Sequence, residues 1–280
     1  MNTLKVFFLM FVLTCLFLLV GDLVGGQRGM VIALAFGGIF NLVSYWFSDK
    51  IVLAMYHAKR VTEAEAPELY SIVRELTAAA ELPMPALAII PQEAPNAFAT
   101  GRNHAHAVVA VTEGMMRMVN RDELKGVLAH ELAHVRNYDM LIGTFAATLA
   151  AAIAFLPRML LFFGGGDRED RSPLGPIAAI ALMIIAPLVA ILVRMAISRA
   201  AEYRADADGA KFAGNPLSLA SALGKLDAFS KRIPMAGNEV TAHMFIVNPF
   251  AGSSFLRMFS THPPIERRVQ RLREMAFGPR

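Results

Sequence analysis

The chain has 280 residues, of which 55% are hydrophobic and only 18% charged, with a net charge of +4 and a positive mean hydropathy. That balance excludes an ordinary soluble domain and points to membrane segments. Cys15 is the only cysteine, which excludes an intramolecular disulfide and a thiolate zinc site, and without an aromatic-basic recognition module the positive charge fits anionic lipid rather than nucleic acid.

Two apolar segments open the chain, at 6–24 and 30–47, with Asp22 and Arg28 near the turn between them. Each approaches the roughly 20 residues that a membrane span needs, so together they read as a helical hairpin. A secretory signal peptide is the alternative for the first segment. The second segment follows at once and no small-x-small cleavage site precedes it, which favours the hairpin.

A small globular stretch follows. Leu69, Ile72, Val73 and Leu76 give helical periodicity across Glu63–Glu81, ended by Pro83 and Pro85. Ala86–Ile90 reads as a short strand, and Ala97–Thr100 and Ala107–Thr112 read as the arms of a hairpin around the polar turn 101–106. An edge strand at Asn96, Ala97, Phe98, Ala99 and Thr100 can pair with an extended substrate through main-chain hydrogen bonds; a hairpin without a ligand is the plainer alternative. His104 and His106 read as polar turn residues rather than ligands.

Residues 130–134, His130-Glu131-Leu132-Ala133-His134, form an HExxH motif. Asn120 offers a cap with Glu123 three residues on, and Leu124, Val127, Leu128, Leu132 and Val135 recur at helical spacing, so the motif lies on a helix. There the two histidines stand about 40° apart in rotation and one turn apart in height. Both rings can reach one metal ion, with Glu131 beside them as a base for water. The third ligand must come from elsewhere, because Asn137 and Met140 stand where the HExxHxxGxxH form has glycine and histidine. Glu202, in a helix-forming run from Ser198 to Asp206, is the best candidate, with Asp206 on the same face to fix a histidine tautomer. Two solvated carboxylates paired with Arg199 or Arg204 are the alternative.

Two further apolar segments, 140–163 and 177–197, read as a second hairpin interrupted by Pro157, Arg158, Pro187 and Arg194. Lys5, Lys50, Lys59, Arg60, Arg194, Arg199 and Arg204 flank one side of the four spans, and Arg28, Arg168 and Arg171 the other. This asymmetry puts both termini and the HExxH motif in the cytoplasm. Downstream, Leu217–Phe229 is amphipathic and 238–260 reads as a loop over the cleft. Ile265, Val269, Leu272 and Met275 mark a C-terminal helix that carries Arg267, Arg268, Arg271 and Arg273.

The HExxH motif, the later Glu202 and Asp206 pair, the stretch Asn96-Ala97-Phe98-Ala99-Thr100-Gly101, the stretch Ser260-Thr261-His262-Pro263-Pro264 ahead of Arg268, and the paired hydrophobic hairpins occur together in this chain. Over nearly its whole length they resemble the HtpX-type bacterial membrane zinc proteases, within the larger family that includes the prenyl-protein CAAX endoproteases. The resemblance implies one Zn2+ per chain held by His130, His134 and Glu202, with Glu131 as general base and Asp206 orienting a ligand. It also implies that His262 and Arg268 face the active site, His262 as a donor to the oxyanion. A capping or turn role before Pro263 is the plainer reading of His262.

The fold expected is α+β and predominantly helical: a multi-pass membrane protein with a zincin-like (gluzincin) catalytic domain carrying a small β-sheet. Its expected divisions are 1–50 for the first transmembrane hairpin, 51–139 for the first part of the catalytic domain, 140–197 for the second hairpin and 198–280 for the second part. The function the resemblance implies is zinc-dependent cleavage of damaged or misfolded membrane proteins at the cytoplasmic face of the bacterial inner membrane, in quality control and stress response. Implied partners are polypeptide substrates, the lipid bilayer and other membrane quality-control proteases, with no nucleic acid. Two other readings stand beside it. A zinc protease for a dedicated or lipidated peptide calls for a larger intramembrane chamber than four spans build, and a membrane scaffold with an accidental HExxH predicts no bound metal and no effect of Glu131→Gln.

Overall fold

The computed structural model describes residues 2–140, 199–232 and 263–278, with some side chains inside helices left undescribed. The expected second hairpin beyond Met140, the 238–260 loop and His262 lie outside the described residues. The chain divides into two units, one whose first segment ends at Trp46 and one that starts at Phe47.

The described part of the first unit is helix α1, Asn2–Trp46. In a straight helix Phe17 and Phe36 would lie ~28 Å apart, yet their rings meet at 5.7 Å. The helical stretch therefore doubles back, and Gly26 takes a left-handed φ of 57° between its arms. A Cβ on Gly29 would overlap the Gly21 carbonyl, so the arms touch where side chains are missing. Phe7, Phe8, Phe11, Val31, Ile32 and Ile39 are all exposed. Counting the described residues alone, no helix is long and apolar enough to cross a membrane. Val12, Leu13, Leu16 and Val20, whose side chains are not described, belong to the apolar run by sequence.

The second unit holds α2 (Ser48–Met55), β1 (Lys59–Val61), α3 (Pro67–Ala80), β2 (Ala86–Ile90), β3 (Ala97–Thr100), a 3-10 turn (His104–His106), β4 (Val108–Thr112), α4 (Glu113–Met118) and α5 (Arg121–Arg136). It continues with α6 at 199–213, α7 (Pro216–Arg232) and α8 (Ile265–Phe277). Helix α3 begins at Pro67 rather than at Glu63. The Thr62 amide donates to Glu65 Oε2 at 2.7 Å and closes a turn, and Pro67 suits the first helical turn, where no N–H is needed. Helices α2 and α4 and strand β1 are too short for periodicity to reveal them.

The four strands make a mixed sheet in the order β1-β2-β4-β3. Strands β2 and β4 are parallel and the other two pairs antiparallel. Strand β4 is central and buried at all five positions, which is why Val108-Val109-Ala110-Val111 shows no polar alternation. On one face, Leu87, Val109 and Val111 join Ile72 and Leu76 of α3 and Leu128 and Leu132 of α5 in the main core. On the other, Ala88, Ile90, Phe98 and Ala110 receive Val52, Leu53 and Tyr56 of α2.

Among the described residues, strand β3 is an edge of the sheet. The Thr112 amide donates to the Asn96 carbonyl at 2.9 Å, and bonded pairs alternate along an antiparallel ladder. With Phe98 opposite Ala110 and Ala99 opposite Val109, Phe98 bonds to β4 while Ala97 and Ala99 turn their main-chain groups away from it.

Candidate metal centre

Helix α5 starts with a reciprocal cap. The Glu123 amide donates to Asn120 Oδ1 at 2.9 Å, and the Asn120 amide donates to Glu123 Oε2 at 2.8 Å. Glu123 also accepts from Ser221 and Lys225 of α7, each at 2.7 Å, so the start of α5 is tied to a second helix. Two glycines let neighbouring helices approach closely. A Cβ on Gly126 would stand 2.6 Å from the Leu219 amide of α7, and one on Gly209 of α6 would stand 2.8 Å from the His130 amide. The second approach brings the helix carrying Glu202 against the helix carrying the histidines.

The outcome is a triangle of potential ligand atoms. His130 Nε2 lies 3.2 Å from His134 Nε2, His134 Nε2 lies 3.4 Å from Glu202 Oε1, and His130 Nε2 lies 3.6 Å from Glu202 Oε2. Ligands about 2.0–2.2 Å from a tetrahedral zinc stand about 3.3–3.6 Å from one another. The donor set, two imidazoles and one carboxylate, also suits zinc with one position left open. These three residues are the group of potential metal ligands found among the described residues.

Each histidine has a carboxylate behind it. His130 Nδ1 lies 3.1 Å from Asp206 Oδ1, and His134 Nδ1 lies 3.3 Å from Asp139 Oδ2. An Nδ1–H donated to a carboxylate leaves the Nε2 lone pair for a metal. Each carboxylate in turn holds an arginine. Arg268 of α8 donates to Asp206 through Nε at 2.9 Å and through a terminal nitrogen at 2.7 Å, and Arg204 donates to Asp139 at 2.7 Å. Arg268 also stands 3.1 Å from Glu202 Oε2 and 3.3 Å from His130 Nε2. With 0% exposure it reaches the ligands from inside the core.

Glu131 is buried beside the triangle, and its Oε2 accepts the Ala99 amide of β3 at 3.0 Å. Burial pushes the Glu131 carboxyl up to about 7, aided by the charge of Glu202 and opposed by His134, the Ala99 amide and Arg268. Burial also disfavours charge on His134, but Asp139 and Glu202 outweigh it and raise the ring to about 10. Burial holds His130 below its ordinary value. For Asp206, burial is outweighed by the Arg268 guanidinium, which keeps the carboxyl down at about 2.

The structure therefore brings His130, Glu131, His134, Glu202, Asp206 and Arg268 into one cluster and sets Ala99 against it, with Asn96 and Thr100 on the same buried strand region. His104 and His106 stand apart from it: His104 meets the Arg136 carbonyl at 3.1 Å and stacks on Tyr138, and His106 bonds to Asn103. Sequence reasoning passed over Asp139, Arg204 as its partner, and Gly209. The signal for Asp139 was weak, a lone acidic residue five positions after His134. Only the left-handed Tyr138, φ 58°, turns it back toward that ring.

Comparison with known proteins identifies the family. Residues 63–276 match Peptidase family M48. A "Protease HtpX homolog" of Desulfatibacillum aliphaticivorans is 56% identical over 275 residues, covering 97% of this chain and 89% of its own length. A second, of Thermodesulfovibrio yellowstonii, is 54% identical over 279 residues and 99% of both chains. The crystal structure of S. mikatae Ste24p superposes with a TM-score of 0.55 at 17% identity, over 97% of this chain and 65% of that one, a likeness of fold. With the family matched over residues 63–276 and relatives more than half identical along nearly the full length, the chain belongs to peptidase family M48, among its HtpX-like members, and is a metalloprotease.

Proposed function

We propose that the protein is a zinc endopeptidase of the bacterial inner membrane that cuts damaged or misfolded membrane proteins at segments reaching the cytoplasm. The observation that carries the zinc reading is the triangle of His130, His134 and Glu202, whose ligand atoms lie within 4.8 Å of one another. Zinc held there would lower the pKa of a water toward about 7 and polarise the scissile carbonyl. The remaining work falls to the chain's own groups. Glu131 takes a proton from the attacking water and passes it to the leaving amine. Asp206 holds His130 by its Nδ1, and Arg268 holds Asp206 and Glu202. The edge of β3 within Asn96–Thr100 pairs with an extended substrate through the main-chain groups that face away from β4, the Ala99 N–H excepted because Glu131 holds it, and this gives little sequence preference. His262 serves as a donor to the oxyanion.

The bilayer reading is supported by the apolar 6–24 and 30–47 runs, by the exposed Phe7, Phe8, Phe11, Val31 and Ile32 of α1, and by the distribution of Lys and Arg in the flanks. The second hairpin at 140–197, the cytoplasmic placement of both termini and cooperation with other membrane quality-control proteases belong to the same proposal. The test is to reconstitute the full chain in liposomes with a membrane-protein substrate that has one destabilised soluble segment, and to follow cleavage with and without a chelator. Cutting within that segment by the wild type, abolished by chelation and by Glu131→Gln, is the expected result. Cleavage that survives both changes would overturn the assignment.

A further inference from the structure

We infer that Asp139 is the positioning residue of His134, held in place by Arg204, so that the site rests on two independent carboxylate arms rather than on Asp206 alone. The inference rests on the zinc reading of the same cluster and adds a residue to it. The first arm runs His130–Asp206–Arg268 and is enclosed, with the Arg268 side chain 0% exposed. The second runs His134–Asp139–Arg204, at 3.3 Å and 2.7 Å, with the Asp139 side chain 9% exposed and that of Arg204 39%.

The backbone is arranged for the second arm. Helix α5 ends at Arg136 with Asn137 as its cap, and Tyr138 adopts a φ of 58° that bulky residues avoid. That left-handed step returns Asp139 alongside the last turn of α5, where its Oδ2 meets His134 Nδ1. The cap is itself tied down, because Asn137 Nδ2 donates to the Ala133 carbonyl and to Asp208 of α6. Arg204 follows Glu202 by two residues on α6 and grips the other oxygen of Asp139, Oδ1. One carboxylate thus joins the end of the histidine helix to the helix that supplies Glu202. A ring whose Nδ1–H is donated to Asp139 keeps its Nε2 lone pair aimed at the triangle, where Glu202 Oε1 lies 3.4 Å away.

The experiment measures zinc affinity of the detergent-purified full chain by competition with a chromophoric chelator. It compares wild type, Asp139→Ala, Asp139→Asn and Arg204→Gln, and records the visible spectrum of each after cobalt substitution. Loss of a partner behind a metal ligand typically weakens metal binding about 10- to 100-fold. Asp139→Ala is expected in that range with an altered cobalt spectrum. Asp139→Asn, which keeps an oxygen acceptor without the charge, and Arg204→Gln should fall between it and wild type. Wild-type affinity and spectrum in Asp139→Ala overturn the inference. Should Asp139→Ala fail to fold, Asp139→Asn decides, and wild-type affinity there overturns the role given to the carboxylate. A wild type that binds no zinc overturns the underlying zinc reading instead, which keeps the two failures apart.

Discussion

The Glu131 carboxylate accepts the Ala99 amide at 3.0 Å, which joins the acidic residue of the HExxH motif to the side of β3 that faces away from β4. Because Ala99 turns its N–H away from β4, a proline there removes the donor without breaking the ladder. Ala99→Pro is expected to keep its zinc and its fold while losing about 10-fold or more in kcat/KM on polypeptides, the worth of one hydrogen bond to a charged group. Steady-state kinetics beside a metal assay check this, and unchanged kcat/KM would show that the Ala99 bond to Glu131 does not position that carboxylate for catalysis.

Gly209 makes a separate prediction. Its missing Cβ would lie 2.8 Å from the His130 amide and 2.9 Å from its Cα, so alanine must push α6 away from α5. Gly209→Ala should cost about 1–3 kcal/mol of stability and weaken zinc binding, because α6 carries Glu202. Gly224→Ala is the control. Nothing lies within 4 Å of that Cβ, and alanine in a helix gains roughly 0.5–1 kcal/mol over glycine. Thermal unfolding of the two variants in detergent should shift in opposite directions.

Glu123 contributes to the acid limb of stability. Burial pushes its carboxyl up, but Lys225, the Asn120 amide and Ser221 outweigh burial and hold it below its ordinary 4.5. A carboxyl lowered on folding contributes stability that is present above its unfolded pKa and lost as pH falls through its folded value. Glu123→Gln should therefore destabilise by about 1–2 kcal/mol at pH 7. The gap to wild type should close as pH drops below 4.5. Unfolding curves at a series of pH values test this, and a gap independent of pH would assign the effect to shape rather than charge.

What the sequence made legible follows from how local each signal is. The cap at Asn120, the shared face of His130 and His134, and the strands Ala86–Ile90 and Ala97–Thr100 are written in neighbouring residues, and the structure has each of them. Glu202 was reachable because its four-residue spacing to Asp206 is a helix-face signal. The parallel pairing of β2 with β4, which places β3 at the edge, depends on a crossover that no local pattern encodes. The short α2, β1 and α4 owe their form to tertiary packing, α2 through Val52, Leu53 and Tyr56 against the sheet. Asp139 was missed because a backbone reversal at Tyr138, and no periodicity, brings it to His134.

The most direct test of the central claim is zinc stoichiometry measured together with cleavage of an unfolded model protein, for wild type, Glu131→Gln and Glu202→Ala purified in detergent. Glu131 lies beside the triangle and Glu202 completes it, so the two variants must fail differently. The account predicts about one zinc and active cleavage in wild type, about one zinc and a loss of at least 10²-fold in rate in Glu131→Gln, and neither tight zinc nor cleavage in Glu202→Ala. Full zinc and wild-type cleavage in Glu202→Ala would contradict it.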